Sequence, residues 1–344
     1  MKLRPLALLA SLLFAACAVA GENYNVLFIS DTHFGDADTF EVDGSGKFRT
    51  KKDPHRMEKA LPAYQALFKD MAGRVNAETA FVLSGGDLVE GWAKDQASHA
   101  AQLRQALTEL KSFFTCPILS INGNHDSNGQ FGRAAFEEVM VAHLREAAKK
   151  PKLKGANYVI RKGGDLWIFH DAYIGKSARE RYEYPIQVLR KLDWRPRYVF
   201  LVTHSPLLQF TNGPINDLLK ELDKHHSFIL CGHTHQTQLL TAKRPGGTIT
   251  QFSVGTCFTE DMKRAQYRVT ATTPEQIMPE LKRRANKFKN WDKVYRELVP
   301  YLSQAWFAKG QGYAVLDISD AGVTITVQSA QLKQKPMVIL KDAK

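Results

Sequence analysis

Five short polar segments constrain this chain more than anything else in it: Asp31-Thr32-His33, Gly86-Asp87, Gly123-Asn124-His125-Asp126, His204, and Gly232-His233-Thr234-His235. Four of them directly follow apolar, β-branched runs, namely Tyr24 to Ser30, Ala80 to Ser84, Tyr198 to Thr203 and Ser227 to Cys231. The fifth follows a weaker run, Pro117 to Ile121. Unbroken apolar runs read as strands buried on both faces, and open α/β sheets place their chemistry just beyond the carboxyl ends of such strands. Each segment supplies His, Asp or Asn, the nitrogen and oxygen donors that suit transition-metal cations. A pair of such ions ~3.5–4 Å apart clamps both the attacking and the leaving oxygen of phosphoryl transfer, provided a carboxylate bridges them.

In order, the segments read DxH, GDxxE, GNHD, H and GHxH. With that series the chain resembles the calcineurin-like metallophosphoesterase superfamily, as a secreted bacterial-type member, from Tyr24 to about Phe258. The resemblance implies an α/β fold, a four-layer α/β/β/α sandwich of two mixed sheets with metals at the strand carboxyl ends. It implies that Asp31, His33 and His235 bind a first metal, that Asn124, His204 and His233 bind a second, and that Asp87 bridges them. It also implies hydrolysis of a phosphate mono- or diester by a metal-bridging hydroxide. His125 would be the general acid or transition-state stabiliser, oriented by Glu90 three positions after the bridging Asp87. Asp126 is a second candidate for that duty, weighed against a structural role as hydrogen-bond acceptor in its turn. Glu90 stands where some relatives carry a metal-binding Tyr, which argues against an iron(III)-tyrosinate centre. The mixed donor set suits two divalent or trivalent ions of manganese, iron or zinc. A metal-free scaffold would be expected to have lost ligands, and none is missing here.

The amino terminus reads differently. Lys2 and Arg4 form a positive start, Leu6 to Cys17 is almost wholly apolar, and Ala18-Val19-Ala20 is a small-residue cleavage site before Gly21. That three-part pattern predicts a signal peptide over residues 1–20 and export to the periplasm or beyond. Cys17 opens a lesser alternative, lipoprotein anchoring, although Phe14 stands where a lipoprotein box has Leu. No later segment is long and apolar enough to span a membrane. Removing residues 1–20 takes away two cations and no acid, lowering the formal charge from +12 to +10. A basic chain favours anionic substrates or surfaces. Three cysteines then remain, Cys116, Cys231 and Cys257. Cys231 and Cys257 are the natural pair for one disulfide in an oxidising compartment, and buried free thiols are the other reading.

Alternating strand-like and helical stretches predict a catalytic domain over 21–260 and a C-terminal helical segment plus β-hairpin over 261–344, packed on it. Helices are expected over Arg56–Val75, Gln96–Phe114, Arg133–Lys150, Tyr184–Leu192 and Ile215–Lys224. Two further strands, near Asn157–Ile160 and Leu166–His170, break the alternation and suggest a mixed or two-sheet arrangement rather than a simple doubly wound sheet. Phe34 to His55 reads as a long loop lying over the metals, since loops of this length tend to be functional. Thr273 to Ala308 reads as helical, with Trp291, Tyr295, Leu298 and Leu302 at helical spacing as a packing face. The basic residues Lys282, Arg283, Arg284, Lys287 and Lys289 nearby leave nucleic acid open as a less favoured partner. Tyr313–Ile318 and Val323–Gln328 flank Ser319-Asp320-Ala321-Gly322 as a hairpin that completes the second sheet. His170, at a strand end, either lines the site or belongs to the core. The expected substrate is a small phosphate ester; a nuclease and a phosphodiesterase on lipid headgroups or cyclic nucleotides are the alternatives.

Overall fold

An apolar run becomes a central strand when both of its edges find partners and both of its faces find a core. Tyr24–Ile29 meets both conditions, with every residue buried. The computed structural model describes residues 21–35, 40–42, 48–50, 56–208, 213–255, 269–271, 276, 299–308, 312–328 and 337–343. In chain order the strands are β1 (Tyr24–Ile29), β2 (Phe40–Val42), β3 (Phe48–Thr50), β4 (Thr79–Ser84), β5 (Ile118–Ser120), β6 (Tyr158–Lys162), β7 (Asp165–His170), β8 (Val199–Thr203), β9 (Ser227–Cys231), β10 (Thr237–Arg244), β11 (Gly247–Ser253), β12 (Val269–Ala271), β13 (Leu302–Ala308), β14 (Tyr313–Ser319), β15 (Gly322–Gln328) and β16 (Met337–Ala343). The helices are α1 (Arg56–Ala72), α2 (Gln96–Phe113), α3 (Asn124–Ser127), α4 (Gly129–Phe136), α5 (Ala142–Ala147), α6 (Ala178–Arg190) and α7 (Gly213–Leu222). A π-helical turn, Glu137–Val141, joins α4 to α5.

Two mixed sheets result. The first runs β16-β15-β14-β1-β4-β5, and the second runs β12-β13-β10-β11-β9-β8-β7-β6. β1, β4 and β5 are mutually parallel, as are β7, β8, β9 and β11. All five polar segments lie at carboxyl ends within these two parallel sets. Alternation along β7 divides its side chains between two cores: Trp167 and Phe169 enter one, Leu166 and Ile168 the other. In the first core Trp167 stacks on Phe200 at 4.1 Å and meets Phe81 of β4 edge-on at 5.0 Å, so the two sheets share it. The second core lies against α6 and α7 through Ile186, Leu189, Ile215, Leu218 and Leu222.

Near their amino-terminal ends the sheets are joined by a buried polar cluster. Tyr24 of β1 donates to Asp165 Oδ2 of β7 at 2.8 Å and accepts from Trp167 Nε1 at 2.8 Å. Arg197 donates from Nε and Nη2 to the two oxygens of the same carboxylate, at 2.9 and 2.8 Å. The Tyr198 backbone N–H adds a further donor to Asp165. A fully buried carboxylate is tolerable only when its lone pairs are satisfied in this way.

Several expectations need correction. The β14–β15 hairpin pairs with β1 and so enlarges the first sheet; β10 and β13 extend the second. Leu302–Ala308 is strand rather than helix, paired with β10, with Leu302 and Trp306 buried. Pro300, in a 3-10 turn just ahead of it, ends any helical continuation. The other helical positions of that stretch, Trp291, Tyr295 and Leu298, and the basic residues 282–289 lie outside the described residues. The loop after Phe34 contains a two-stranded ribbon, β2–β3, and the rest of it, with its expected place over the metals, also lies outside them. Cys231 is a buried free thiol near the Phe252 carbonyl, whereas Cys257 is not among the described residues. His170 is buried against Tyr182, the core alternative. Among the described residues no helix is long and apolar enough to cross a membrane.

Asp165→Asn should test the inter-sheet cluster. Removing one partner of a buried ion pair strands the other, so chemical denaturation should report a loss of about 3–5 kcal/mol. A loss below about 1 kcal/mol, the value of an exposed pair, would show that the cluster contributes little.

Candidate metal centre

The carboxyl ends of the two parallel strand sets meet, and their polar segments face one another across the gap. Asp31, His33 and His235 converge as one group, and Asp87, His204 and His233 as another, with ligating atoms in each group within 4.8 Å of one another. In the first, His33 Nε2 and His235 Nε2 are 3.0 Å apart, and His235 Nε2 is 3.4 Å from Asp31 Oδ1. In the second, His204 Nε2 is 3.0 Å from Asp87 Oδ2, while His233 Nδ1 is 2.9 Å from Asn124 Oδ1. Asp87 Oδ2 also lies 3.8 Å from His33 Nε2, which sets this carboxylate between the groups. All seven residues expected as ligands are therefore brought together.

The backbone explains how. Asp31, His33, Asp87, His233 and His235 all have positive φ, between 49° and 67°. Among the described residues only Trp92 and Lys149 share that conformation without being glycine. Left-handed backbone at a non-glycine residue costs about 1–3 kcal/mol and persists only where its surroundings over-determine it. Here the β1–β4 ladder continues past the strand ends. Asp31 N–H donates to Gly86 O at 3.0 Å, His33 N–H to Asp87 O at 3.0 Å, and Phe34 N–H to Leu88 O at 2.8 Å. Phe34 then stacks on Tyr64 of α1 at 4.9 Å, and the Tyr64 hydroxyl donates to the Thr32 carbonyl. Gly232 meets a different demand, close approach. A Cβ there would stand 1.9 Å from Ser30 Oγ and 2.4 Å from Asp31 Oδ2.

Electrostatics favour positive charge at this point. Burial and the nearby Asp87 raise the Asp31 carboxyl against the pull of His204 and His235. Burial also works against the Asp87 anion, but His204 and His33 override it and hold that carboxyl below the usual carboxylate range. Burial disfavours a His204 cation too, yet Asp87 and Asp31 raise its ring to about 10. Two buried carboxylates that can hold a proton on a buried imidazole form a field that selects cations. The His204 Nδ1–H donates to the Gly85 carbonyl at 2.7 Å, which turns Nε2 onto Asp87 Oδ2 at 3.0 Å. An imidazole anchored to a carbonyl through one nitrogen, with the other turned into a carboxylate-lined site, is the usual outer arrangement of a metal-bound histidine. Desolvation and the nearby His204 hold the His233 ring below the ordinary imidazole range, which favours the neutral form that ligates. The residues present therefore fit a pair of metal ions.

The expected catalytic residues divide differently. His125, half-buried, has its Nδ1 2.8 Å from the backbone carbonyl of Glu90. The Glu90 carboxylate lies 3.2 Å from His33 Nδ1 and 3.7 Å from His125 Nδ1. Asp126 is buried and accepts from Gly123 N–H at 2.8 Å and Val89 N–H at 3.1 Å, the structural alternative of its two readings. Burial, with the charge of Asp87, pushes its carboxyl up to about 7. One neighbour was not foreseen. Tyr173 donates to Asn124 Oδ1 at 3.4 Å and shares a hydrogen bond with Ser205 Oγ at 3.0 Å. Its signal was positional, since it follows the carboxyl end of β7 as the metal segments follow theirs.

The family model described as calcineurin-like phosphoesterase matches residues 24–237. No curated protein matches the sequence. Among solved structures, a dimetal phosphatase from Danio rerio superposes with a TM-score of 0.52 at 12% identity, covering 92% of this chain and 98% of that one. PhoD superposes with a TM-score of 0.50 at 10% identity, covering 92% of this chain and 68% of that one. At these identities the structural likeness carries the fold alone.

Gly232→Ala should damage the centre while leaving the rest of the fold in place. The new methyl group must displace Ser30 or Asp31, so metal affinity should fall about 10–100-fold by calorimetric titration, with an unchanged circular dichroism spectrum. Wild-type affinity in the variant would mean that the close approach at Gly232 is not needed to hold the ligands.

Proposed function

The chain belongs to the calcineurin-like phosphoesterase family, and on that premise we propose that it is an exported two-metal hydrolase of a small phosphate mono- or diester. Asp31, His33 and His235 hold the first ion, Asn124, His204 and His233 the second, and Asp87 bridges. The observation that carries this reading is the position of Asp87 Oδ2, within 3.8 Å of His33 Nε2 and 3.0 Å of His204 Nε2. Bound cations would polarise the phosphoryl group and acidify the attacking water. His125 serves the leaving group. Its Nδ1 proton is held by the Glu90 carbonyl, so the proton that it gives or shares is the one at Nε2. Glu90 acts through its carboxylate, whose charge, 3.2 Å from His33 Nδ1, would favour the His33 ring as a ligand through Nε2. Tyr173 orients the Asn124 amide with its oxygen toward the second ion. Asp126 holds the turn and takes no part in proton transfer.

The export part of the reading rests on the charged, apolar and small-residue pattern of residues 1–20. The polynucleotide alternative differs in one readout, because binding through many phosphates weakens steeply with salt.

The test is hydrolysis of p-nitrophenyl phosphate and bis-p-nitrophenyl phosphate by the chain stripped of metal and refilled with manganese, zinc or iron. Turnover should require metal and fall at least about 100-fold in Asp87→Asn. Metal-independent turnover, or none with two ions bound and many esters tried, would sink the proposal. Glu90→Gln separates the two assignments for that residue. Acting through His33, it should weaken metal binding about tenfold and leave the pH dependence of turnover at saturating metal unchanged. A changed pH profile with unchanged metal affinity would return the carboxylate to His125.

A further inference from the structure

The export reading generates a chemical group that the metal centre does not use, an α-amine on Gly21. The Gly21 nitrogen lies 3.1 and 3.3 Å from the two carboxylate oxygens of Asp320, in the turn between β14 and β15. Arg197 Nη1 donates to Asp320 Oδ1 at 2.8 Å, and Arg197 Nη2 donates to the Glu22 carbonyl at 3.2 Å. Through its Nε and Nη2 the same guanidinium grips the buried Asp165. The position admits only glycine. A Cβ on residue 21 would stand 2.5 Å from Arg197 Nη1 and 2.7 Å from the Gly163 carbonyl.

We propose that Gly21 is the mature amino terminus and that Asp320, backed by Arg197, is a built seat for its ammonium group. Three independent constraints meet at this junction. Ala18-Val19-Ala20 offers a leader peptidase its small-x-small site on one side. The fold demands a residue without a side chain on the other. Charge supplies the third, because hydrolysis of the Ala20–Gly21 amide places a cation directly against the Asp320 carboxylate, which Arg197 already holds in position. The amide N–H of an uncleaved chain has one proton to donate, whereas the ammonium has three for the two Asp320 oxygens already in reach. Among the described residues, Glu22 and Lys162 also stand nearby and pair with each other at 2.7 Å, and Lys162 lies over the Tyr24 ring. The seat lies where β1 begins, at the opposite end of that strand from Asp31.

This inference rests on the export reading, and the experiment separates the two. The full-length chain is expressed with its own leader, the processed protein is recovered, and its amino terminus is sequenced. The α-amine is then titrated by the pH dependence of its acetylation, followed by mass spectrometry. Processing should leave Gly21 first, and the amine should titrate about one unit above its ordinary ~7.7–8.0. Asp320→Asn, which suits a tight turn and lies far from the metals, should return it to the ordinary value with metal-dependent turnover unchanged. The sign of the linkage follows. A raised amine stabilises the fold fully below its ordinary value, and this contribution is lost as pH rises through the folded value. The melting temperature of wild type should therefore exceed that of Asp320→Asn at pH 7, by about 2–4 °C for the amine's share, and the gap should narrow by that share by about pH 10, leaving the pH-independent contribution of the Arg197–Asp320 pair. A chain still carrying its leader, or one starting at another residue, overturns the terminus and the export reading with it. A chain starting at Gly21 whose amine titrates at the ordinary value in both proteins overturns the seat and leaves export standing.

Discussion

Asp31 and Asp87 are buried side by side where two sheets meet, and the rest of the molecule is organised around that cost. Each carboxylate raises the free energy of the other's charge, and burial removes the water that would screen them. Histidines from the opposite sheet supply the compensation: His204 against Asp87, and His235 against Asp31. His33, from the same sheet as Asp87, adds to this, but the partners nearest the two carboxylates come from the second sheet. The shared apolar core, with Trp167 between Phe81 and Phe200, is therefore what makes the metal centre possible.

The two ends of the strands carry opposite assignments. At the amino-terminal ends, Asp165 is matched by Tyr24, Arg197 and the Tyr198 backbone in relaxed hydrogen-bonded geometry. The carboxyl ends hold most of the left-handed non-glycine backbone among the described residues. Strain of that kind is held in place by neighbouring order. Here the order is the continued β1–β4 ladder and the stack of Phe34 on Tyr64.

The convergence of the polar segments was legible in the sequence for a simple reason. A polar donor right after a buried strand has little freedom, so the order of apolar run and polar segment nearly determines where Asp31, Asp87, His204 and His233 must go. The interrupted alternation near Asn157 and Leu166 showed that one simple parallel sheet would not do, and the family resemblance supplied the two mixed sheets. What stayed hidden depended on partners distant in the chain. Leu302–Ala308 continues the helical spacing of Trp291, Tyr295 and Leu298 and becomes strand because β10 offers it an edge. The hairpin was readable but its sheet was not, since either sheet would have accepted its alternating pattern. Tyr173 has no motif around it, and only the fold brings its hydroxyl to Asn124.

Glu90 is where a pattern of residue types falls short of a geometry. Its spacing from Asp87 suggests a carboxylate for His125, yet the main chain of Glu90 performs that service and its side chain turns to His33. The reason is local. Glu90 N–H donates to the Phe34 carbonyl at 2.7 Å, extending the β1–β4 pairing by one more step, so this residue is registered against the segment that carries His33. Once the backbone is held there, its carbonyl reaches one imidazole and its carboxylate the other. A single residue then links His33 to His125, so a shift in either is felt by both. That coupling arises from strand register, which the identity of residue 90 alone does not reveal.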